Sequence, residues 1–399
     1  MQNESNPPRH ARAQPQSDWL TFEQPLQPGV QPPPVAVPLP QASAGEPVAL
    51  TWVGNPWDLT GLSFINFMLS IVTLGIYSFW GKTEVRRKIW SSVRLQGEPF
   101  AYTGTGGELF LGFLFAFGVV FMPILALTFA AVFILGPESP FVDLINIPIY
   151  VIIFLFMGVA IYRARRYRLT RTLWRGIRGG MSGSPKSFAW LWIWTSLLVA
   201  VTAGWFAPQR AIEVQRRLHS ETTFGDQSFS FTGDSGPLYP PFAVLWVGAL
   251  LLYIAVIGSI IAAIGVGNLG DPANLETSPQ QGVIIFAVVV LAFLIWSILS
   301  SWYQAKKLVH FARCTSFDNA RFTLNVTGFG LIGLFLTNLL ITVFSLGILS
   351  PVAQARALKY FVDRMSIQGT IDFARITQSQ AALGRGGEGL AQAFDVDAF

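Results

Sequence analysis

Three stretches of this sequence repeat one another without gaps, and each repeat contains an apolar segment that has no charged residue. A shift of 129 residues places Gly75 on Gly204 and Thr103-Gly104 on Thr232-Gly233, and a shift of 272 residues places Gly75 on Gly347. Basic residues flank the apolar segment of each repeat. A repeated apolar unit with such flanks is typical of membrane proteins that are built from modules.

The composition also indicates a membrane protein. Hydrophobic residues make up 52% of the chain and charged residues 12%, whereas soluble domains carry about 25% charged residues. The net charge of +5 does not indicate nucleic-acid binding, because the basic residues lie at the ends of apolar blocks, as orientation signals do. A membrane-spanning helix needs about 20 apolar residues, and seven uncharged blocks have suitable lengths: 59–80, 109–135, 144–162, 188–207, 241–266, 283–303 and 329–349.

These observations predict a mainly α-helical multi-pass membrane protein with three internal repeats and small strand elements at the cytoplasmic face. Alternating aromatic residues at 100–104 and 229–233 favour short strands at the ends of the repeats. The predicted segments are a disordered Pro-rich tail (1–47), repeat module 1 (48–110), transmembrane hairpin 1 (111–162), repeat module 2 (163–240), transmembrane hairpin 2 (241–303), repeat module 3 (304–376) and a disordered C-terminal tail (377–399).

Two topologies are compatible with the apolar blocks. If all seven cross the membrane, the 27 basic residues divide 18 to 9 between its sides; if 59–80, 188–207 and 329–349 enter and leave on one face, all 27 lie on the same side. The positive-inside rule favours the second topology, which has four crossings and three re-entrant segments. Glycines near the segment ends are suited to such a break, but ordinary helix caps also use glycine. Seven crossings are therefore the alternative.

Few polar side chains lie within the apolar segments. The candidates are Asn66, Thr73, Thr337 and Asn338, of which Asn66 and Asn338 occupy equivalent repeat positions. Hydrogen bonding between helices is one interpretation of these residues, and a paired polar site between repeats is the other. No ionisable side chain lies inside the blocks, which disfavours an ion-coupled carrier.

The densest basic cluster follows the third apolar block directly. Tyr162, Tyr167 and Trp174 are interleaved with it, as expected at a membrane interface. Such a cluster attracts anionic headgroups at about 1 kcal/mol per basic residue, so we predict contacts with membrane lipids; an orientation signal on a helix extension is the alternative. The arginines are Arg163, Arg165, Arg166, Arg168, Arg171, Arg175 and Arg178.

No catalytic, metal or cofactor site is predicted. His10, His219 and His310 are not spaced as metal ligands with acidic residues or with the single cysteine, Cys314. No Gly-x-Ser-x-Gly motif is present to mark a serine nucleophile. We therefore expect a protein without enzymatic activity.

Several motifs in one order resemble the YjgN family, over roughly residues 48–370. The resemblance implies a multi-pass protein of the bacterial inner membrane. It implies no activity and no functional residues, because the function of that family is unknown. The motifs are Thr73-Leu74-Gly75-Ile76-Tyr77, Trp80, Lys82, Arg86-Arg87, Tyr102-Thr103-Gly104-Thr105-Gly106, Tyr167-Arg168-Leu169 and Trp174-Arg175-Gly176.

Two functional hypotheses follow from the sequence. The first is transport or permeation of a small or lipid-like solute at a site between modules. The alternative is a non-enzymatic membrane scaffold that binds anionic lipid headgroups through the cluster at 163–178. In both cases we expect the protein in the inner membrane with its C-terminus in the cytoplasm, and the sequence predicts no oligomeric state.

Overall fold

The computed structural model describes residues 48–264 and 278–378. The predicted tail 1–47 lies outside these residues, as does the predicted C-terminal tail after Gln378. The protein is mainly helical (68%), which confirms this part of the predicted fold class.

Helices of very different lengths make up most of the described chain. In chain order they are α1 (Thr60–Val72), α2 (Ser78–Ser92), α3 (Gly106–Ala116), α4 (Met122–Leu135), α5 (Pro140–Arg171), α6 (Pro185–Val201), α7 (Ala207–Ser220), α8 (Tyr239–Ile264), α9 (Pro279–Cys314), α10 (Gly328–Phe344) and α11 (Ser350–Val362).

Among the described residues, three helical stretches are long and apolar enough to cross a bilayer. They are Gly106–Leu135, Gly236–Ala263 and Pro279–Cys314, with 30, 28 and 36 residues. The first joins α3 to α4 through a π-helical turn at Phe117–Phe121. Helix α5 has 32 residues, contains the predicted block 144–162 and packs against α4 and α6.

The other three predicted blocks are each broken into two helices that fold back on each other. Helices α1 and α2 form hairpin 1, α6 and α7 form hairpin 2, and α10 and α11 form hairpin 3. From here on, these names refer to the short helix pairs and not to the predicted transmembrane hairpins 111–162 and 241–303. The first helices of these hairpins have 13, 17 and 17 residues. Because a helix rises about 1.5 Å per residue, α1 is too short to cross a hydrocarbon core of about 30 Å.

The tips of the three hairpins share one backbone conformation. Each contains a residue with positive φ followed by a glycine with positive φ: Leu74 (51°) and Gly75 (90°), Ala203 (49°) and Gly204 (91°), and Leu346 (52°) and Gly347 (84°). Each glycine N–H donates to the carbonyl five residues earlier, at 2.6–2.7 Å. This is the bonding of a glycine-terminated helix, so the tip satisfies much of its own backbone.

A hydroxyl side chain completes each tip. Thr73 Oγ1 accepts the N–H of Tyr77 at 2.9 Å. In the other two tips, Thr202 Oγ1 accepts the N–H of Phe206 at 3.0 Å, and Ser345 Oγ accepts the N–H of Leu349 at 3.1 Å. Bonds of this kind replace the helical carbonyl partner that the break removes.

Short strands join the two ends of every hairpin. Strands that precede and follow a hairpin pair antiparallel: β1 with β2, β6 with β7, and β11 with β12. The chain therefore enters and leaves each hairpin at the same place. The strands are β1 (Leu50–Trp52), β2 (Val93–Leu95), β3 (Glu98–Pro99), β4 (Ala101–Tyr102), β5 (Thr172–Trp174), β6 (Ile177–Met181), β7 (Thr222–Phe224), β8 (Gln227–Ser228), β9 (Ser230–Phe231), β10 (Thr315–Phe317), β11 (Ala320–Leu324) and β12 (Met365–Gln368).

The strands form three small sheets, with the orders β1-β2-β3, β4-β5-β6-β7-β8 and β9-β10-β11-β12. Strands β4 and β9 pair with β5 and β10, which follow the long helices α5 and α9. The sheets thereby tie the chain after hairpin 1 to the end of α5, and the chain after hairpin 2 to the end of α9. β12 also contacts β1, so the last hairpin lies beside the first.

The segment that follows β12 packs onto the strands. The Phe373 ring lies 4.7 Å from the ring of Trp174, which is buried. Thr377 accepts the N–H of Asp226 through its carbonyl and donates its own N–H to the Asp226 carboxylate, both at 3.0 Å. Ile376 is buried between these contacts.

Candidate functional site

A cavity of about 800 Å³ lies between hairpin 1, hairpin 3 and the last turns of α5. Next to it, Leu59, Val85 and Ile89 pack against Val352 and Ala355 of α11 and hold hairpins 1 and 3 together. Its volume is within the range of about 300–1,000 Å³ that is usual for ligand pockets.

One face of each surrounding helix lines the cavity. Helix α1 contributes Ser63, Asn66, Phe67 and Ser70, which are three or four residues apart and therefore share a face. Helix α2 contributes residues at the same spacing: Ser78, Gly81, Lys82, Val85, Arg86 and Ile89.

Hairpin 3 and α5 form the opposite walls. The tip and second helix of hairpin 3 contribute Gly347, Ile348, Pro351, Gln354, Leu358 and Phe361, and α5 contributes Arg165, Arg168 and Leu169. The cavity thus extends from the two hairpin tips to the strands that follow α5. Most of its lining is apolar, with hydroxyl groups towards the tips.

Four cationic side chains line the cavity, and none of its described lining residues is acidic. Lys82 and Arg86 come from α2, and Arg165 and Arg168 from α5. Charges of one sign within low-dielectric walls raise the local concentration of the opposite ion. The arrangement is therefore suited to an anion.

The surroundings of Arg165 affect its charge. Its side chain is half-buried, and its Nε atom is buried without a hydrogen-bond partner. Burial, with repulsion from Arg168, lowers the pKa of Arg165 to about 10. The guanidinium therefore still carries its charge at neutral pH.

The two glutamates that bond to side chains of α5 do not line the cavity. Glu108 accepts from the hydroxyl of Tyr167 at 2.5 Å and pairs with Arg171 at 2.6 Å. Glu221 accepts from the hydroxyl of Tyr162 at 2.6 Å and pairs with Arg217.

The seven arginines of the predicted lipid-contact cluster do not form one surface. Arg165 and Arg168 line the cavity, whereas Arg171 pairs with Glu108, and Arg175 stacks 4.6 Å above the Trp174 ring. The others take separate positions: Arg163 is exposed on α5, Arg166 is half-buried on α5, and Arg178 lies in β6 opposite Leu173.

The predicted intramembrane polar residues lie within the hairpins. Asn66 donates to the Gly81 carbonyl at 3.3 Å, and Asn338 donates to the Ala353 carbonyl at 3.1 Å, each across its own hairpin. Both amide oxygens are buried without a hydrogen-bond partner. Asn66 lines the cavity and Asn338 does not.

The two threonines of that set serve different local roles. Thr73 completes the tip of hairpin 1, as described above. Thr337 donates to the Gly333 carbonyl at 2.8 Å and accepts from Arg356 at 3.2 Å. Neither lines the cavity.

Sequence reasoning missed Lys82 and Arg86 as site residues. They belong to a less dense basic stretch than the cluster at 163–178 and precede it by about 80 residues. The available signal was their spacing of four residues, which places them on the same face as Ser78 and Ile89.

The histidines and the cysteine form no metal site in the described part of the chain, where no group of three His, Cys, Asp or Glu could hold an ion. His219 Nδ1 lies 3.0 Å from the Gln215 carbonyl. Burial, with repulsion from Arg165, lowers the pKa of His219 to about 4. The Cys314 sulfur lies 3.7 Å from a ring nitrogen of His310.

Comparison with known proteins finds a family and several curated relatives. A family model described as "Bacterial protein of unknown function (DUF898)" matches residues 47–393. The protein named inner membrane protein YjgN of Escherichia coli K12 is 27% identical over 140 residues, which cover 35% of this chain and 32% of the relative. Its namesake in Salmonella typhimurium is 38% identical over 68 residues, 17% of each chain.

The matched stretch is thus about a third or less of the length of these relatives. No solved structure matches the chain.

Proposed function

Because the chain belongs to the bacterial family DUF898, and relatives of it are named inner membrane proteins, we propose that it is an inner-membrane protein through which a lipid-like solute passes. The route is the cavity between hairpins 1 and 3. We propose no enzymatic role, and the curated names state no activity.

The proposed topology has four crossings and three hairpins that enter one leaflet from the cytoplasmic face. The crossings are α3 with α4, then α5, α8 and α9. The paired strands at the base of each hairpin support it, because both ends of a hairpin must then lie on one side. All 27 basic residues fall on that side, which the positive-inside rule makes cytoplasmic, together with the C-terminus.

The hairpin tips have the surface and the bonding expected in lipid. Leu74 is 93% exposed, Leu346 86% and Phe344 83%, and a bilayer would cover them. Non-helical backbone at membrane depth must satisfy its own polar groups. The hydrogen bonds that the glycine N–H groups donate and the hydroxyl groups accept satisfy much of the backbone at the tips.

We also infer that the hairpins with their paired strands are copies of one unit. The shared tip conformation supports this. So does a pair of equivalent bonds: Arg87 donates to the Gly104 carbonyl at 3.5 Å, and Arg216 donates to the Gly233 carbonyl at 2.8 Å.

Labelling of single cysteines tests the topology. With Cys314 replaced by serine, Gln227→Cys and Glu138→Cys place exposed thiols after hairpin 2 and between α4 and α5. We expect a membrane-impermeant maleimide added to intact spheroplasts to label position 138 and not position 227. Labelling of position 227 from outside would show that hairpin 2 crosses the membrane.

The observation that carries the proposed function is the cavity itself. It is largely apolar, it reaches the exposed hairpin tips and it lies between elements that are separate in sequence. A lipid-like solute needs no coupling ion, which agrees with apolar blocks that lack ionisable residues.

Flux into proteoliposomes tests this function. We expect the wild type to accelerate transfer of a fluorescent phospholipid between leaflets, measured by dithionite quenching. Ser70→Phe, which fills the cavity, should abolish most of the acceleration. Val199→Phe is the matched control, because Val199 occupies the same place in hairpin 2, where its carbonyl accepts from Gly204, and does not line the cavity.

A scaffold that holds anionic lipid without moving it is the second candidate. The four cations of the cavity wall favour it. Retention of lipid by the purified protein with no acceleration of transfer would select the scaffold and exclude the transport function.

A further inference from the structure

We propose that the cavity opens sideways into the bilayer between the tips of hairpins 1 and 3, and that the hydrocarbon chain of a lipid from the cytoplasmic leaflet enters there. The inference deepens the proposed function by naming the entrance and the part of the lipid that the cavity takes up. It rests on that function for the membrane setting of the hairpins.

Long helices lie on both sides of hairpin 2. Helix α5 precedes this hairpin and packs closely against α6, since a Cβ atom at Gly158 would lie 3.0 Å from the Cα atom of Ala189. Helix α8 follows the hairpin, and the Trp246 indole of α8 donates to the Ala203 carbonyl at the tip, at 2.8 Å. The rings of Trp205 and Trp246 also meet edge-on, with their centroids 5.8 Å apart. The tip of hairpin 2 is therefore docked on a long helix.

Hairpins 1 and 3 face each other directly instead. Hairpin 1 packs against α3, where the ring centroids of Phe79 and Phe110 are 5.5 Å apart, and hairpin 3 packs against α9. Helix α1 packs against α11 of the other hairpin. Within the described residues, no long helix packs to a comparable extent against α1 or α11. The junction of these two hairpins thus lacks the long helices that lie beside hairpin 2.

The exposed surface of α1 shows the same difference. Thr60 and Phe64 lie 129 residues before Ala189 and Ile193 of α6. In α6, Ala189 is buried and Ile193 is half-buried, whereas in α1 Thr60 is exposed and Phe64 is 54% exposed. The bilayer therefore meets α1 where a long helix meets α6.

The cavity lies at this junction and reaches the hairpin tips. Its lining includes Ser70 beside the tip of hairpin 1 and Gly347 in the tip of hairpin 3. A Cβ atom at Gly347 would have no atom within 4 Å, whereas one at Gly204 in hairpin 2 would lie 3.6 Å from the Trp246 indole nitrogen. The cavity is thus adjacent to tips that are open to their surroundings.

The size and lining of the cavity favour a hydrocarbon chain over a helix of another protein. Two turns of an α-helix about 10 Å wide occupy roughly 850 Å³, so a cavity of about 800 Å³ has no room for a transmembrane helix. A lipid chain that leaves the bilayer for the apolar part of the lining exchanges one apolar environment for another, and no polar group is desolvated.

Reversible cross-linking of the two hairpins tests the inference on the full-length protein in detergent. In a Cys314→Ser background, Ser70→Cys/Ile348→Cys places one thiol on each side of the entrance, and bifunctional methanethiosulfonates of graded length join the two thiols. The probe is a phosphatidylethanolamine with a fluorescent acyl chain. The measurement is the amount of this lipid that stays bound through gel filtration.

The order of addition shows whether lipid passes between the hairpins. Linking before the lipid is added should abolish most of the uptake, and linking afterwards should retain the lipid through a wash that releases it from the reduced protein. Dithiothreitol should reverse both effects. The control Val199→Cys/Ala203→Cys carries two thiols at the tip of hairpin 2, away from the cavity lining, and should take up and release lipid whether linked or reduced.

Equal uptake and release by the linked and reduced forms would overturn the proposal, once mass spectrometry shows the link. Absence of uptake by the reduced protein would overturn it as well. If Ser70→Cys/Ile348→Cys does not elute as a monodisperse species, Phe67→Cys/Gln354→Cys spans the same cavity and takes its place.

A protein that covers the entrance would give a different result. Protection of Phe64→Cys from a lipid-soluble maleimide in native membranes, lost on purification, would show such a partner and would also overturn the proposal. Lipid exchange that the link controls, without flux into proteoliposomes, would reject only the proposed transport. Flux that the link leaves unchanged would reject only this inference.

Discussion

At the scale of single residues, the positive charge of Arg165 near the end of α5 affects the ionisable groups around it. Arg165 is close enough to both Arg168 and His219 to influence their electrostatics, and it is itself enclosed. Because a protonated His219 would repel the Arg165 guanidinium, the neutral form of His219 favours the position that Arg165 takes. Protonation of His219 in acid should therefore destabilise the folded protein.

The pKa of His219 predicts a loss of stability in mild acid. Burial and repulsion from Arg165 lower this pKa from 6.5 to about 4. Between these two pH values, His219 is therefore protonated in the unfolded chain and neutral in the folded chain. Stability therefore falls as the pH drops from about 6.5 towards 4, by up to about 2 kcal/mol between pH 7 and pH 5.

Thermal unfolding in detergent at pH 7 and pH 5 checks this prediction. His219→Asn keeps a donor near the Gln215 carbonyl and cannot titrate, so its melting temperature should fall less between the two pH values than that of the wild type. An equal fall in both proteins would show that other groups cause the acid sensitivity.

At the scale of elements, the hairpin tip is the feature that distinguishes a broken segment from a continuous helix. The sequence contains the glycine but leaves its role open, since a helix cap and a tip both use Gly75. The structure adds what the sequence does not contain: a second left-handed residue at Leu74, a hydroxyl bond from Thr73, and paired strands on either side.

The conformation of Gly75 predicts a measurable cost of substitution. Its φ is +90° with open space around the position of a Cβ atom, so Gly75→Ala should lose about 1 kcal/mol or more from backbone strain alone. Gly61→Ala is the matched control, because Gly61 lies in α1 with equally open space and alanine is the better helix former by about 1 kcal/mol.

Chemical or thermal unfolding of both variants tests the tip. We expect Gly75→Ala to lower the midpoint and Gly61→Ala to leave it unchanged or raise it. Similar shifts in the two variants would mean that Gly75 does not need its left-handed conformation.

At the scale of the molecule, helical content and apolar segments followed from composition and block length. The short strands also follow in part, because alternation of aromatic residues marks β4 and β9. The cavity does not follow, since its walls come from residues 63–90, 165–172 and 347–361, whose meeting depends on how hairpins pack. Local sequence patterns do not predict which of these segments pack against one another.

The packing of the final segment predicts an effect of truncation. A chain that ends after Gly369 loses the contacts of Phe373, Ile376 and Thr377 with the strands. We expect a loss of about 2 kcal/mol or more, because burial of one large apolar side chain contributes about 1.5–3 kcal/mol.

The matched control ends after Gln378 and keeps every contact described above. Melting of the two truncated proteins in the same detergent gives the comparison. If both melt together, the segment after β12 contributes nothing measurable to stability.

The antiparallel pairing of the strands around each hairpin has a consequence for how such a chain can evolve. A stretch whose first and last residues lie side by side can be inserted or duplicated without rerouting its neighbours. A gene encoding one such stretch could grow by tandem copying, and one copy could then diverge to supply arginines while another kept its original surface.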